Sequence, residues 1–149
     1  MSDKIFVDTN ILVYSRDASE TEKQPQAMHW MRQLWTSKAG RLSFQVLQEF
    51  YSIVTTKLQP GMEPQKARED IESLFVWNPI PVKADVIKRA WQNIDKFQLS
   101  WWDSLIVSAA QIGGCTYLLT EDLQENQILG SVCVINPFLN SPESLDLQI

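Results

Sequence analysis

A chain of 149 residues, 44% hydrophobic and 21% charged, has the composition of one folded domain, and at this length it buries about 70% of the surface its unfolded form exposes. Its formal net charge of −5 argues against a protein that grips long nucleic acid with its whole surface. No apolar run approaches the ~20 residues of a membrane span, and the N-terminus lacks a secretion signal's apolar core. Cys115 and Cys133 lie in apolar segments and read as free thiols, so a cytoplasmic protein with no membrane partner is expected.

The first predicted element is a buried strand, Ile5 to Val7, which stops at Asp8-Thr9-Asn10. Ser15 to Ser19 reads as a loop. Ala27, Met31, Leu34 and Trp35 give Thr21 to Lys38 the apolar stripe of a helix, with Gly40 as its C-terminal cap. Arg41 to Phe44 is a short strand candidate, and Gln45 to Lys57 a helix with Val46, Phe50 and Ile53 inward. After Gln59-Pro60-Gly61, Pro64 opens another helix, with Ala67, Ile71, Leu74 and Phe75 on one face.

Asn78 to Val82 is at best an edge strand, because of its prolines. Ala84 to Phe97 and Trp101 to Ile112 are helical, the second behind Ser100 and ended by Gly113-Gly114. Thr116 to Thr120 and Val132 to Ile135 are the last strands, with Glu121 to Leu129 as the bridge between them. The tail from Pro137 has no periodicity and reads as partly mobile. Roughly βααβααβαα in outline, this alternation predicts an α/β domain with a mainly parallel sheet. Most of the six tryptophans are expected in its core.

Four acids stand in awkward places. Asp8 ends a buried strand, where an unused carboxylate is costly and where open α/β sheets bind their ligands. Asp122 repeats this after Tyr117-Leu118-Leu119, although a turn or helix cap also explains it. Glu49 falls within the apolar stripe of its helix, or snorkels from its edge. Asp103 opens a nearly all-apolar helix, as a ligand or as part of a Ser100 capping box. Glu121 reads as solvated. Four converging carboxylates repel one another unless cations or protons intervene, and oxygen ligands select Mg²⁺ or Mn²⁺. Zinc does not fit, because His29 is the only histidine and reads as an ordinary surface residue.

Phe6-Val7-Asp8-Thr9-Asn10-Ile11-Leu12, Gln48-Glu49-Phe50-Tyr51, Trp102-Asp103-Ser104-Leu105-Ile106 and Leu118-Leu119-Thr120-Glu121-Asp122-Leu123 occur in this order. Together with Val134-Ile135-Asn136-Pro137-Phe138 they resemble the PIN-domain ribonucleases, and among these the toxins of VapBC-type toxin–antitoxin pairs. The resemblance implies a three-layer PIN-like domain over residues 1–138, its mainly parallel central sheet flanked by helices, followed by a tail at 139–149. It implies that Asp8, Glu49, Asp103 and Asp122 form an acidic site for one or two Mg²⁺ or Mn²⁺ ions, with Asn10 and Thr120 holding the acids in place.

The activity so implied is hydrolysis of RNA phosphodiesters, leaving 5′-phosphate and 3′-hydroxyl ends. The partners implied are RNA, a small antitoxin and a second copy of the chain, with Trp30 and Trp35 as candidates for burial by the antitoxin. Arg16, Lys4 and Lys57 are candidates for phosphate contact, and Trp101 and Trp102 for base stacking, with core packing expected of at least one of the two. A catalytically silent module of the same fold is the alternative. A haloacid-dehalogenase-type phosphatase would need an acid where Asn10 stands.

Overall fold

The computed structural model describes residues 3–145. Five strands form one sheet: β1 (Ile5–Val7), β2 (Gly40–Arg41), β3 (Tyr117–Leu119), β4 (Ile128–Leu129) and β5 (Val132–Ile135), in the order β2-β1-β3-β5-β4. All neighbours run parallel except β4, which pairs antiparallel with β5. Ile5, Phe6 and Val7 are fully buried, as a central strand covered on both faces requires.

Six helices surround the sheet: α1 (Thr9–Arg16), α2 (Lys23–Ser37), α3 (Phe44–Thr56), α4 (Pro64–Leu74), α5 (Ala84–Phe97) and α6 (Trp101–Ile112). From β1 the chain leaves through α1 and α2 to β2 on one side, then returns through four helices to β3 on the other. Right-handed crossovers leaving and returning in this way lie on opposite faces, so the sheet is sandwiched between helical layers. The strand order therefore reverses between β1 and β3. In such sheets the crevice outside the carboxyl ends of the strands is widest at that point.

Four elements differ from the sequence reading. Helix α1 was not expected: Asp8 caps it, and Ile11, Leu12 and Val13 are buried on successive sides, which erases the amphipathic period. The bridge between the last parallel strands contains β4. The edge strand expected at Asn78 to Val82 is reduced to a single bridge at Ile80, so that the four expected helices follow one another between β2 and β3 and the outline is βααβααααβββ. The expected Arg41–Phe44 strand is shortened to β2, although Ser43 still pairs with Ile80 in an isolated parallel bridge.

Helix α2 ends on Lys38 in the left-handed conformation (φ 61°), not on Gly40. Gly40 has another task, since a Cβ there would lie 2.4–2.6 Å from the indole of Trp77. Only Trp30 and Trp77 of the six tryptophans are buried. Trp35, Trp91, Trp101 and Trp102 are between 36% and 65% exposed, so neither Trp101 nor Trp102 packs in the core. Trp30, a candidate for burial by a partner, is instead core, and its Nε1 donates to the carbonyl oxygens of Pro137 and Asn140 (3.0 and 3.3 Å).

Within the tail, residues 142–145 form a 3-10 turn, Leu145 packs on the core, and His29 Nε2 lies 2.6 Å from Glu143 Oε1. The expectation for 146–149 falls outside the described residues. Both cysteines are free thiols. Among the described residues no helix is long and apolar enough to cross a membrane.

Candidate active site

Asp8 leaves β1 at the carboxyl edge of the sheet, beside the end of β3. The β1–β3 register pairs Val7 with Leu119, and the Asp8 N–H donates to the Leu119 carbonyl (3.1 Å), carrying the ladder one residue past both strands. Asp8 thus lies against Thr120. Its Oδ2 accepts from the Thr120 hydroxyl (2.8 Å) and its Oδ1 from the Thr9 N–H (2.7 Å), the second being the cap of α1.

Asp8 is only 8% exposed. Burial pushes its carboxyl up to about 7, and Asp122 and Asp103 add to the rise, while the bonds from Thr120 and Thr9 oppose it. A carboxyl so placed holds a proton near neutrality unless a positive charge is supplied.

Asp122 belongs to the same crevice. Its N–H donates to the Thr120 hydroxyl (3.1 Å), so that one hydroxyl serves both acids. The Asn10 amide, in the first turn of α1, donates to Asp122 Oδ2 (3.2 Å). Burial raises the Asp122 carboxyl above its ordinary value, and Asp103 and Glu121 raise it further.

Asp103 lies half-buried in the first turn of α6. The Ser100 hydroxyl caps that helix by accepting from the Asp103 N–H (3.2 Å). The cap bond therefore uses Asp103's backbone, and the carboxylate is not its acceptor. Glu49, half-buried on α3, accepts from Gln45 Nε2 (2.7 Å) and from the Thr9 hydroxyl (3.3 Å).

Asp8 and Asp122 thus share Thr120, Glu49 is tied to Thr9 beside Asp8, and Asp103 adds its charge from α6. Asp8, Asp103 and Asp122 are close enough to perturb one another. Among the described residues, however, no three acidic, histidine or cysteine side chains form a group that could hold a metal ion. The donor set is all oxygen, which fits a hard divalent cation and not zinc.

Several residues take other roles than the sequence suggested. Glu121 is not solvated: it accepts from Lys23 Nζ (2.8 Å) and from the Tyr14 hydroxyl. Lys23 also lies 4.9 Å from the centre of the Tyr14 ring and 5.2 Å from that of Phe138. This cluster ties the segment after β3 to α1 and α2. Arg16 is no free phosphate contact, because its guanidinium forms a two-pronged pair with Asp70, both bonds 2.6 Å. Lys4 precedes β1, at the amino end of the sheet and away from the acids. Lys57 caps the far end of α3, about 12 Å along the helix from Glu49.

Thr9 and Gln45 were missed. Gln45 was legible in principle, since it stands four residues before Glu49 on one helix face. Lys23 was not, since 98 residues separate it from Glu121.

The PIN domain family model matches residues 5–127. This chain belongs to the PIN-domain family. Among solved structures, this PIN domain is similar to VapC20 of Mycobacterium tuberculosis, described as a sarcin-ricin loop cleaving toxin. That match has 19% identity and a TM-score of 0.58, and covers 80% of this chain and 90% of that one. A toxin–antitoxin complex from Klebsiella pneumoniae matches at 16% identity and a TM-score of 0.58, covering 90% and 98% respectively. VapBC2 of Rickettsia felis, bound to a promoter DNA fragment, matches at 17% and 0.53, covering 87% and 96%. At these identities the likeness is one of fold. None of the curated proteins matches the sequence.

Proposed function

We propose that this PIN domain is a metal-dependent endoribonuclease, the toxin of a toxin–antitoxin pair. The observation that carries the reading is Asp8, a carboxyl buried at the strand-order reversal, held at about 7 by its surroundings and flanked by Asp122 and Asp103. The cap of α1 that Asp8 also makes can be made by an uncharged Ser, Thr or Asn, whereas a carboxylate this deeply buried is stabilised by a cation beside it.

Asp8, Asp103 and Asp122 would hold Mg²⁺ or Mn²⁺, with Glu49 at the rim. Such an ion, when bound, supplies the positive charge that makes water a nucleophile at neutral pH and neutralises phosphoryl oxygens. The chain's own residues prepare the crevice. Thr120 fixes the Asp8 carboxylate against the sheet and, through the Asp122 N–H, sets the turn that carries the second acid. Asn10 and Gln45 restrict the rotamers of Asp122 and Glu49. Members of the fold that are toxins in complex with antitoxins support the partner. An antitoxin segment would lie in the pocket of about 270 Å³ bordered by Met28, Met31, Trp35 and Leu74, where Trp35 is the one of the two candidate tryptophans left accessible. A second copy would cover the exposed Phe44, Phe75 and Val76.

A silent module of the same fold is the second reading, favoured because among the described residues no three of the acids come together as a group that could hold a metal ion. Incubation with a mixed RNA pool in Mn²⁺, in Mg²⁺ and in chelator separates the two. Cleavage that needs the ion and is lost in Asp8→Asn supports the nuclease; intact RNA under all conditions supports the module.

A further inference from the structure

A second recess adjoins the acids. Between α3 and the start of α6 lies a pocket of about 510 Å³, walled by Val82, Leu105 and the Trp102 indole, with Gln48 and Ser52 at its edge and Glu49 at the boundary with the crevice. We propose that this pocket receives one unstacked base of the RNA strand, with Trp102 as the stacking surface and Gln48 reading the base edge. The proposal rests on the ribonuclease reading and adds the subsite through which the strand is held.

Three observations point to a base. The pocket adjoins the acids: Glu49 lines it while accepting from the Thr9 hydroxyl beside Asp8, and Trp102 immediately precedes Asp103. A nucleotide whose phosphate lies at the acids therefore has this recess within reach of its base. Next, apart from the Glu49 carboxylate at its boundary, the lining contains apolar and amide or hydroxyl side chains and no lysine or arginine. It suits a flat, uncharged heterocycle with a few polar edges and offers nothing to a phosphate.

The third observation is Trp102 itself, 65% exposed at the first turn of a helix whose following residues, Ser104 to Ala110, are all buried. An indole left largely in water forgoes most of the burial energy that its size offers. The net charge of −5 makes backbone attraction weak, so stacking, which tolerates any base, is the source of affinity that remains.

The test is binding, measured apart from cleavage. Fluorescence anisotropy in chelator would compare a fluorescein-labelled ten-residue oligoadenylate with an abasic strand of the same length. The wild-type chain should prefer the base-bearing strand by roughly tenfold or more. Trp102→Ala should erase that preference and Trp102→Phe should keep most of it, while Gln48→Ala should reduce it in part. Circular dichroism would establish that the variants fold. A wild-type chain that does not prefer the base-bearing strand, or a folded Trp102→Ala chain that keeps the preference, overturns the proposal. Lost self-association of Trp102→Ala in sedimentation, with the base preference intact, also overturns it and gives the pocket to a protein partner. Hydrolysis of bis(p-nitrophenyl) phosphate by the wild type in Mn²⁺ tests the acids without any base. Its absence counts against the nuclease reading and leaves the anisotropy result to stand by itself.

Discussion

At the scale of single residues the buried carboxyl of Asp8 is the centre of the proposed chemistry and bears on stability. Its value is raised from 3.8 to about 7 in the fold, so between these values the native chain holds a proton that the unfolded chain has released. Stability from this group is therefore complete at the acid end and is lost as pH rises through 7. At about 1.4 kcal/mol per pKa unit, the loss reaches a few kcal/mol for the metal-free chain. Asp8→Asn should flatten this dependence and raise the melting temperature at pH 8 in chelator, while cleavage of RNA is abolished. Thermal unfolding from pH 4 to 8 checks it; the same pH slope in both chains would contradict the burial argument.

Asp103→Asn divides cap from site. Because Ser100 makes the cap through a backbone N–H, the substitution should cost less than about 1 kcal/mol. Cleavage should nevertheless be lost. Full activity in a normally folded variant would remove Asp103 from the site.

Among the elements, the segment after β3 depends most on distant chain. Lys23 and Tyr14 clasp Glu121 and so hold the turn that presents Asp122. Lys23→Met should keep the hydrophobic contacts with Tyr14 and Phe138 yet free this turn, lowering the activity severalfold with a small loss of melting temperature. Hydrogen exchange of residues 120–122 would register the loosening, and unchanged protection there would mean that the clasp is ornamental. Gly40→Ala acts on packing instead. Its Cβ would collide with the Trp77 ring, so β2 or the ring must shift at a cost of about 1–3 kcal/mol, read as a lower denaturant midpoint.

Legibility followed the range of the forces. Helices α5 and α6 and strand β5 were read to the residue because their periods or caps are local. Asp8 and Asp122 stood out because an acid ending an apolar strand is anomalous on its own. Helix α1 stayed hidden because burial all round removes the period. The roles of Arg16 and Glu121 were invisible, since Asp70 and Lys23 reach them only through the tertiary fold. The burial of Trp30 beneath Pro137 and Asn140 was hidden for the same reason.

For the whole molecule, the unburied aromatic surface is the feature that calls for partners. Phe44 and Phe75 lie 6.3 Å apart between ring centres, and Val76 beside them is 79% exposed. Such a patch on an isolated chain invites association. Sedimentation at micromolar concentration should show a dimer, and Val76→Asp should give a monomer; a wild-type monomer would refute the second-copy proposal.

The placement of the acids on β1 and β3 also has a consequence in time. Asp8 and Thr120 meet across 112 residues, so the crevice does not exist while the chain is being made. At roughly 5–20 residues per second, roughly six to twenty seconds pass between the synthesis of the first acid and that of the strand end that completes its surroundings. Throughout that interval the nascent chain carries Asp8 without Asp122 and β1 without its β3 neighbour. A protein that cuts RNA in this way would be born beside messenger and ribosomal RNA with its cutting edge unassembled, and would become dangerous only once β3 and the turn behind it had been made.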